Sequence, residues 1–229
     1  ALPISLQMKD KTGGTVTVMS MGPAQAEDVL RESLSVGADE AYLVSGREFG
    51  GSDTLATSYI LSCAVKAVEE KRGEKFDVIY CGKQAIDGDT GQVGPEMAEH
   101  LGYTQITYAT ELVACEGDKV QVRKETADGY DVLEAALPVV ISVTKTPFEL
   151  RYPTVKKRLA ANRAQIPTIT PQDMEGQIDL SRAGLKGSPT KVKKSFTPQH
   201  NKNCVVVEED SPSASAVKLV ALLSDDKKI

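Results

Sequence analysis

Short apolar runs alternate with amphipathic stretches through the first 145 residues. Thr15 to Met19 reads Thr-Val-Thr-Val-Met and predicts a strand. A helix is expected between Pro23, suited to a first helical position, and Gly37, suited to the position past the end. Its apolar face would be Ala26, Val29, Leu30 and Leu34, with Glu27 and Arg31 as an i,i+4 ion pair. Ala41 to Val44 predicts the next strand, and Asp53 caps a helix with Leu55, Tyr59, Ile60, Cys63 and Ala67 on one face. Phe76 to Tyr80 is a third apolar strand. This β-α-β-α-β order predicts an α/β fold, a mostly parallel sheet with helices on both faces.

The pattern changes after residue 103. Residues 104–143 read as a meander, with turn signals at Glu116-Gly-Asp118 and Asp128-Gly129. Pro138 to Val143 is its most apolar strand and should be central. Beyond Lys145 the chain is rich in Pro, Gly, Lys and Arg. The expected division is therefore an α/β domain over 1–145 and an extended C-terminal arm over 146–229. Within the arm a short helix is expected near 155–164, and a terminal helix from Ser211-Pro212. An arm with so few apolar positions should lie on a partner.

Charge sharpens the division. Residues 1–144 hold 12 Lys+Arg against 23 Asp+Glu, and residues 145–229 hold 15 against 9. An acidic body does not suit nucleic acid, and the basic part lacks interleaved aromatics. No apolar run approaches the roughly 20 residues of a membrane span, and no basic-then-apolar leader opens the sequence. The four cysteines, Cys63, Cys81, Cys115 and Cys204, form no CxxC pair. No metal site is expected, and a reducing, cytoplasmic setting is the simplest reading.

The segment richest in chemistry is Gly82, Lys83, Gln84, Ala85, Ile86, Asp87, Gly88, Asp89, Thr90, Gly91, Gln92, Val93 and Gly94. It follows an apolar strand and precedes a helix whose face is Val93, Met97 and Leu101. Ligands in open α/β sheets bind at such junctions. Four glycines let a ligand approach the backbone, and free N–H groups at the helix start attract phosphate. Thr90, Gln92 and Lys83 add donors. Asp87 and Asp89 would repel phosphate, so they are expected to cap the helix or to accept bonds from ribose or adenine. The segment is neither a Walker A motif nor GxGxxG. A plain glycine-rich connection with an acidic cap is the bland alternative.

Gly82-Lys-Gln-Ala-Ile-Asp87, followed by an acidic glycine-containing turn, resembles the beta subunit of electron-transferring flavoproteins. Met21-Gly-Pro-Ala-Gln25 with Leu30-Arg31 and Val36-Gly-Ala-Asp39 is similar to that family's early helix. Gly51 to Ser58 is similar to its next loop, and Arg151-Tyr-Pro-Thr154 with the basic helix after it to its partner-recognition segment. Asp89 to Pro95 and Gly187-Ser-Pro-Thr190 resemble the electron-bifurcating branch. The resemblance implies a Rossmann-like, adenine-nucleotide-binding fold. It makes 82–94 the nucleotide loop, with Met21 and Gly22 on the adenine side.

It further implies FAD in this chain, with AMP as the alternative, and NADH as electron donor. The partners implied are an alpha subunit, a flavin-dependent dehydrogenase such as an acyl-CoA dehydrogenase, and ferredoxin. The chain would be a carrier subunit, redox-active only in a complex. Family members begin with a strand ahead of the helix that ends near Lys11, and that strand is not in this sequence. A nucleotide-sensing regulator of similar fold is the rival reading, against which the arm counts.

Three further groups have two readings each. Asp53 and Thr54 would lie on the nicotinamide side, or Asp53 is only a helix cap. His100 is a proton relay, or a histidine placed for the dipole of a helix C-terminus. Lys156, Lys157, Arg158 and Arg163, with Arg151 and Tyr152, form a partner-docking patch, or a solvated face. No Ser/His/Asp set and no acid pair is present, as befits a chain whose redox chemistry belongs to a cofactor.

Overall fold

The computed structural model describes residues 1–86, 88–197 and 204–226. In chain order the first elements are α1 (Leu2–Thr12), β1 (Thr17–Met21), α2 (Glu27–Val36), β2 (Glu40–Val44), α3 (Thr54–Arg72), β3 (Val78–Gly82) and α4 (Val93–Leu101). Four strands follow: β4 (Thr104–Glu116), β5 (Lys119–Thr126), β6 (Gly129–Ala136) and β7 (Val139–Val143). Then come α5 (Val155–Arg163), β8 (Thr168–Ile169), α6 (Gly184–Gly187) and α7 (Pro212–Asp225).

The expected alternation holds, but the single sheet does not. β1, β2 and β8 form a parallel three-stranded sheet in the order β1-β2-β8. A second sheet has the order β3-β7-β4-β5-β6. Its β3-β7 and β7-β4 pairs are parallel, and β4-β5-β6 is antiparallel. The two-residue β8 takes the edge beside β2, through Leu43 N–H to Pro167 O at 3.0 Å and Ser45 N–H to Ile169 O at 3.0 Å. β7 is flanked on both sides, and all five of its residues are buried, as its apolar run predicts.

Helices cover these sheets. Ile4 of α1 sits with Ile106, Leu112, Val120, Val122 and Ile141 in the core of the larger sheet. α3 supplies Ile60, Cys63, Ala64, Ala67 and Val68 to a second core, at the i, i+3, i+4 spacing of one helix face. Val44, Ile169 and Met174 meet them there. Two expected core positions are instead open to solvent, Val29 at 52% and Leu55 at 40%. Gly37 closes α2 with φ 128°, beyond the ordinary range of a residue with a Cβ.

The chain divides into two compact units, Ala1–Lys191 and Val192–Ile229. The first thus runs well past residue 145, because Ala161, Ile169, Met174 and Ala183 are buried in it. In the second, Ser211 Oγ caps α7 by accepting from Ala214 N–H at 3.2 Å. No α7 residue is buried, and Val217, Leu219, Val220 and Leu222 are exposed.

Candidate functional site

The loop between β3 and α4 grows directly from the larger sheet. Lys83 N–H donates to Val143 O at 2.9 Å, which extends the β3-β7 pairing by one step. Ala85 N–H then donates to Gly88 O at 3.2 Å and turns the chain. Gly91 has φ 67°, and a Cβ there would stand 3.4 Å from Lys83 O, so the two ends of the loop lie against each other. Gly94 is buried in the first turn of α4. A Cβ at that position would sit 3.4 Å from Cys81 Cβ and 3.5 Å from Ser142 Cβ. The missing side chain is what lets the helix start so close to the ends of β3 and β7. Gln84, Ala85, Ile86, Gly88, Asp89 and Thr90 are exposed, and Val93 is half-buried. Asp87 lies outside the described residues.

The two long helices beside this loop start differently. α4 has no side-chain cap: Gln92 is its N-cap residue and its side chain accepts no amide. Neither Asp89 nor any other side chain among the described residues takes that place. α3 is capped instead. Asp53 Oδ1 accepts Ala56 N–H at 3.1 Å, and Oδ2 accepts Thr190 N–H and Oγ1–H, each at 2.9 Å. Ser188 Oγ accepts Asp53 N–H at 2.9 Å. Burial works against the charge on Asp53, but the bonds from Thr190 and Ala56 outweigh it and hold the carboxyl below its usual range. Asp53 is thus a helix cap that also straps residues 188–190 to α3.

Thr54 does reach the loop, with Oγ1 and Gln92 Oε1 3.1 Å apart. Met21 and Gly22 lie at the end of β1, in the smaller sheet. Met21 packs beside the Val44–Ile60 core, and Gly22 N–H donates to Val44 O at 3.0 Å. Among the described residues no hydrogen bond joins these two to the loop.

Tyr108 was not singled out by its sequence. The register of β4 against β7 shifts between Ile106 and Ala109, and Tyr108 sits in that irregularity with φ 60°. Tyr108 N–H donates to Ser142 Oγ at 3.2 Å. Its ring lies 5.2 Å from Lys83 Nζ, within cation–π range, so an uncommon backbone state aims an aromatic at the loop.

Two groups near the loop are structural. Burial pushes the Cys81 thiol up to about 11, so it is protonated and unreactive at neutral pH. His100 ends α4 with its ring edge-on to Tyr59, centroids 5.6 Å apart. Burial, then the nearby Arg182 guanidinium, hold it below the usual histidine range. Arg182 lies over the same tyrosine ring at 4.0 Å. Among the described residues no group of three or more His, Cys, Asp or Glu could hold a metal ion, and no helix is long and apolar enough to cross a membrane.

The basic residues expected to dock a partner lie on and just before α5. Thr154 Oγ1 caps the helix by accepting Lys157 N–H at 3.2 Å. Lys156, Lys157, Arg158 and Arg163 are all exposed, and Arg151 pairs with Asp10 at 2.6 Å. Between the cations stand Tyr152 at 92%, Val155 at 78% and Leu159 at 51% exposure. Val155 and Leu159 are one turn apart on α5, and Tyr152 stands in the extended segment before it. Only Ala161 of α5 is buried. Arg31 of α2 holds the helix end, with Nη1 donating to the carbonyls of Ala161, Asn162 and Ala164 at 2.9, 3.1 and 3.0 Å. Arg31 Nη2 pairs with Glu27, as expected.

A family model described as "Electron transfer flavoprotein domain" matches residues 1–174. The electron transfer flavoprotein subunit beta of Megasphaera elsdenii is 47% identical over 233 residues, covering all of this chain and 85% of that protein. Its counterpart from Clostridium acetobutylicum is 44% identical, covering 94% of this chain and 80% of that protein. Protein FixA of Azorhizobium caulinodans is 41% identical, covering 96% and 79%. Both kinds of relative match at similar identity, so these matches do not single out the bifurcating branch. Beta subunits of this kind hold AMP structurally, and FAD is bound by the alpha subunit. The expectation of FAD in this chain, and the function built on that flavin, are corrected to the AMP alternative. Matched by the family model over 174 of 229 residues, and by these relatives over nearly its whole length, the chain belongs to the electron transfer flavoprotein family, among its beta subunits and their FixA counterparts.

Proposed function

We propose that this chain is the beta subunit of an electron-transferring flavoprotein and holds AMP structurally in the 82–94 loop. It pairs with an alpha subunit and presents α5 to a flavin-dependent dehydrogenase. The observation that carries the nucleotide assignment is the contrast between two neighbouring helices. α3 has its N-terminus filled by Asp53, whereas α4 starts uncapped at Gln92. The phosphate would take the N–H groups of Val93 and Gly94, with Lys83 as counter-charge and Tyr108 beside it. Bound there, AMP supplies shape and charge and no redox chemistry. The electron is carried by the flavin of the alpha subunit, and this chain contributes assembly and docking. It is a carrier subunit within a larger redox complex.

The test is the nucleotide content of the purified heterodimer. Denaturation and chromatography should release AMP in a one-to-one ratio with this chain, and FAD in proportion to the alpha subunit. A heterodimer that holds its flavin, transfers electrons and releases no AMP would overturn the assignment. Phosphate-free AMP analogues should fail to rebind. Adenosine binding as well as AMP would remove the role given to the α4 N-terminus.

A further inference from the structure

The cationic helix α5 does not stand alone on the surface. It packs along α2, and an open groove of about 470 Å³ runs between the two, lined by Gln25, Asp28, Val29, Glu32, Arg158 and Asn162, with Arg31 at its base. The two walls have opposite character. On the α5 side stands Arg158, while Lys156 and Lys157, each about 100° further back around the same helix, lie outside the groove. On the α2 side Asp28 and Glu32, one turn apart, point to solvent, and their carboxylates enter no ion pair among the described residues. Between them Val29 is an exposed β-branched residue in the floor. Arg31 itself is spent, held by Glu27 and by the three carbonyls that end α5. The groove is therefore fixed in width by that clamp, not by loose side chains.

We infer that the docking surface is this whole two-helix platform, not α5 alone, and that the partner is a protein with a bipolar face. Acidic side chains of the partner meet Arg158 at the groove and the exposed lysines beside it on α5. A lysine or arginine of the same partner enters the groove, lays its aliphatic stem on Val29 and sets its cation between Asp28 and Glu32. Long cationic side chains suit such a site because the stem is apolar and the head is not. Charge complementarity argues for one partner over both walls. A wholly acidic surface would be repelled by Asp28 and Glu32, and a wholly basic one by α5. A pair of opposite patches also fixes register, where a single cationic helix would allow sliding.

The inference rests on the dehydrogenase-docking reading of α5, and the experiment separates the two. The assembled heterodimer is measured for association with its dehydrogenase at two salt concentrations, with bound AMP and flavin quantified in parallel. Lys156→Glu with Lys157→Glu tests the parent reading. Asp28→Lys with Glu32→Lys tests the platform. Both should slow association, by roughly three- to tenfold at low salt and less at high salt, because steering charges are screened. Nucleotide content should stay at the wild-type level in each. Asp28→Asn with Glu32→Gln, a gentler change to α2, should act in the same direction with a smaller size.

If the lysine pair matters and neither acidic pair does, the platform is wrong and α5 docks alone. If the lysine pair itself has no effect, the docking reading fails first. Should the heterodimer self-associate on centrifugation, and lose this in the Asp28/Glu32 variant, the groove belongs to a second copy, and the inference is overturned.

Discussion

Replacing Arg31 with Met should loosen α5 far more than it loosens the rest of the protein. The helix buries only Ala161, and hiding one methyl group contributes on the order of 1 kcal/mol. Its charged tether is stronger. One guanidinium nitrogen serves the carbonyls of Ala161, Asn162 and Ala164 at 2.9 to 3.1 Å. Two hydrogens shared among three acceptors give about two full bonds, and bonds to a charged group are each worth about 1.5–3 kcal/mol. Some of this returns as the freed carbonyls meet water, so a loss of about 2–3 kcal/mol is expected. That corresponds to roughly a 30- to 150-fold rise in local opening. The assay is amide hydrogen exchange of the intact heterodimer. Residues 155–165 should lose protection by that factor, while β7 and α3 keep theirs, since local and global opening are separate events. Met retains most of the stem's packing, so an effect of this size would report the guanidinium. Unchanged protection over 155–165 would refute the tether, and equal loss throughout would mean that Arg31 supports the whole fold instead.

Gly94→Val should weaken AMP retention and cost roughly 1–3 kcal/mol of stability, since its branches enter the space of Cys81 and Ser142; Lys124→Ala is the control, and equal AMP content in the two would sink the loop assignment. Gly91→Val meets a φ of 67° and should likewise release AMP. Asp53 has its folded pKa depressed, so its stabilisation is present above the unfolded carboxylate pKa and lost as pH falls through the folded value. Asp53→Asn should therefore flatten the acid limb of thermal stability and raise amide exchange at Thr190 at neutral pH; an unchanged acid limb contradicts the strap. His100 also has a depressed pKa, but as a base it favours the neutral form in the folded state, so stability should fall as pH drops from about 6.5 and level off below the folded value. His100→Phe should remove that slope in melting curves while keeping the edge-on contact with Tyr59, and a persisting slope would assign it elsewhere.

What could be read from the sequence was local. Asp53 as a cap and Ser211-Pro212 as a helix start each need only one polar residue ahead of a helix, and each holds through a bond to the amide three residues on; Thr154 caps α5 in the same way. The antiparallel run β4-β5-β6 follows from alternation and turn residues, but β7, expected to continue the meander, instead pairs in parallel between β3 and β4. The loop stood out by its glycines. What escaped were pairings across distance. Thr168-Ile169 is too short for any periodicity to mark it, yet it completes the smaller sheet through β2. Arg31 was taken as half of an i,i+4 pair, and its reach to carbonyls some 130 residues on left no local trace. The left-handed Tyr108 is the opposite case, since an aromatic in a strand pattern gives no hint of a bulge. Apolar periodicity also put Val29 inside, because period alone does not show how far a neighbouring helix extends over a face.

The two-residue strand β8 sets an order of events during synthesis. β2 is finished at Val44, but its neighbour on one side is not made until Ile169, and the core of Val44, Ile60 and Val68 also needs Met174 and Ala183. A nascent chain therefore carries an unfinished edge and an open apolar face on its first half while more than a hundred further residues emerge. Closing so long a loop is entropically slow, and until it closes the exposed edge is a site for mispairing. The larger sheet is less exposed to this, since β4, β5 and β6 are consecutive hairpin neighbours that pair as they appear, and β7 joins β3 and β4 by Val143. A chain halted near residue 165 should thus have the larger sheet formed and the smaller one open, which makes the Thr168–Met174 stretch the step that commits the first half of the protein to its fold.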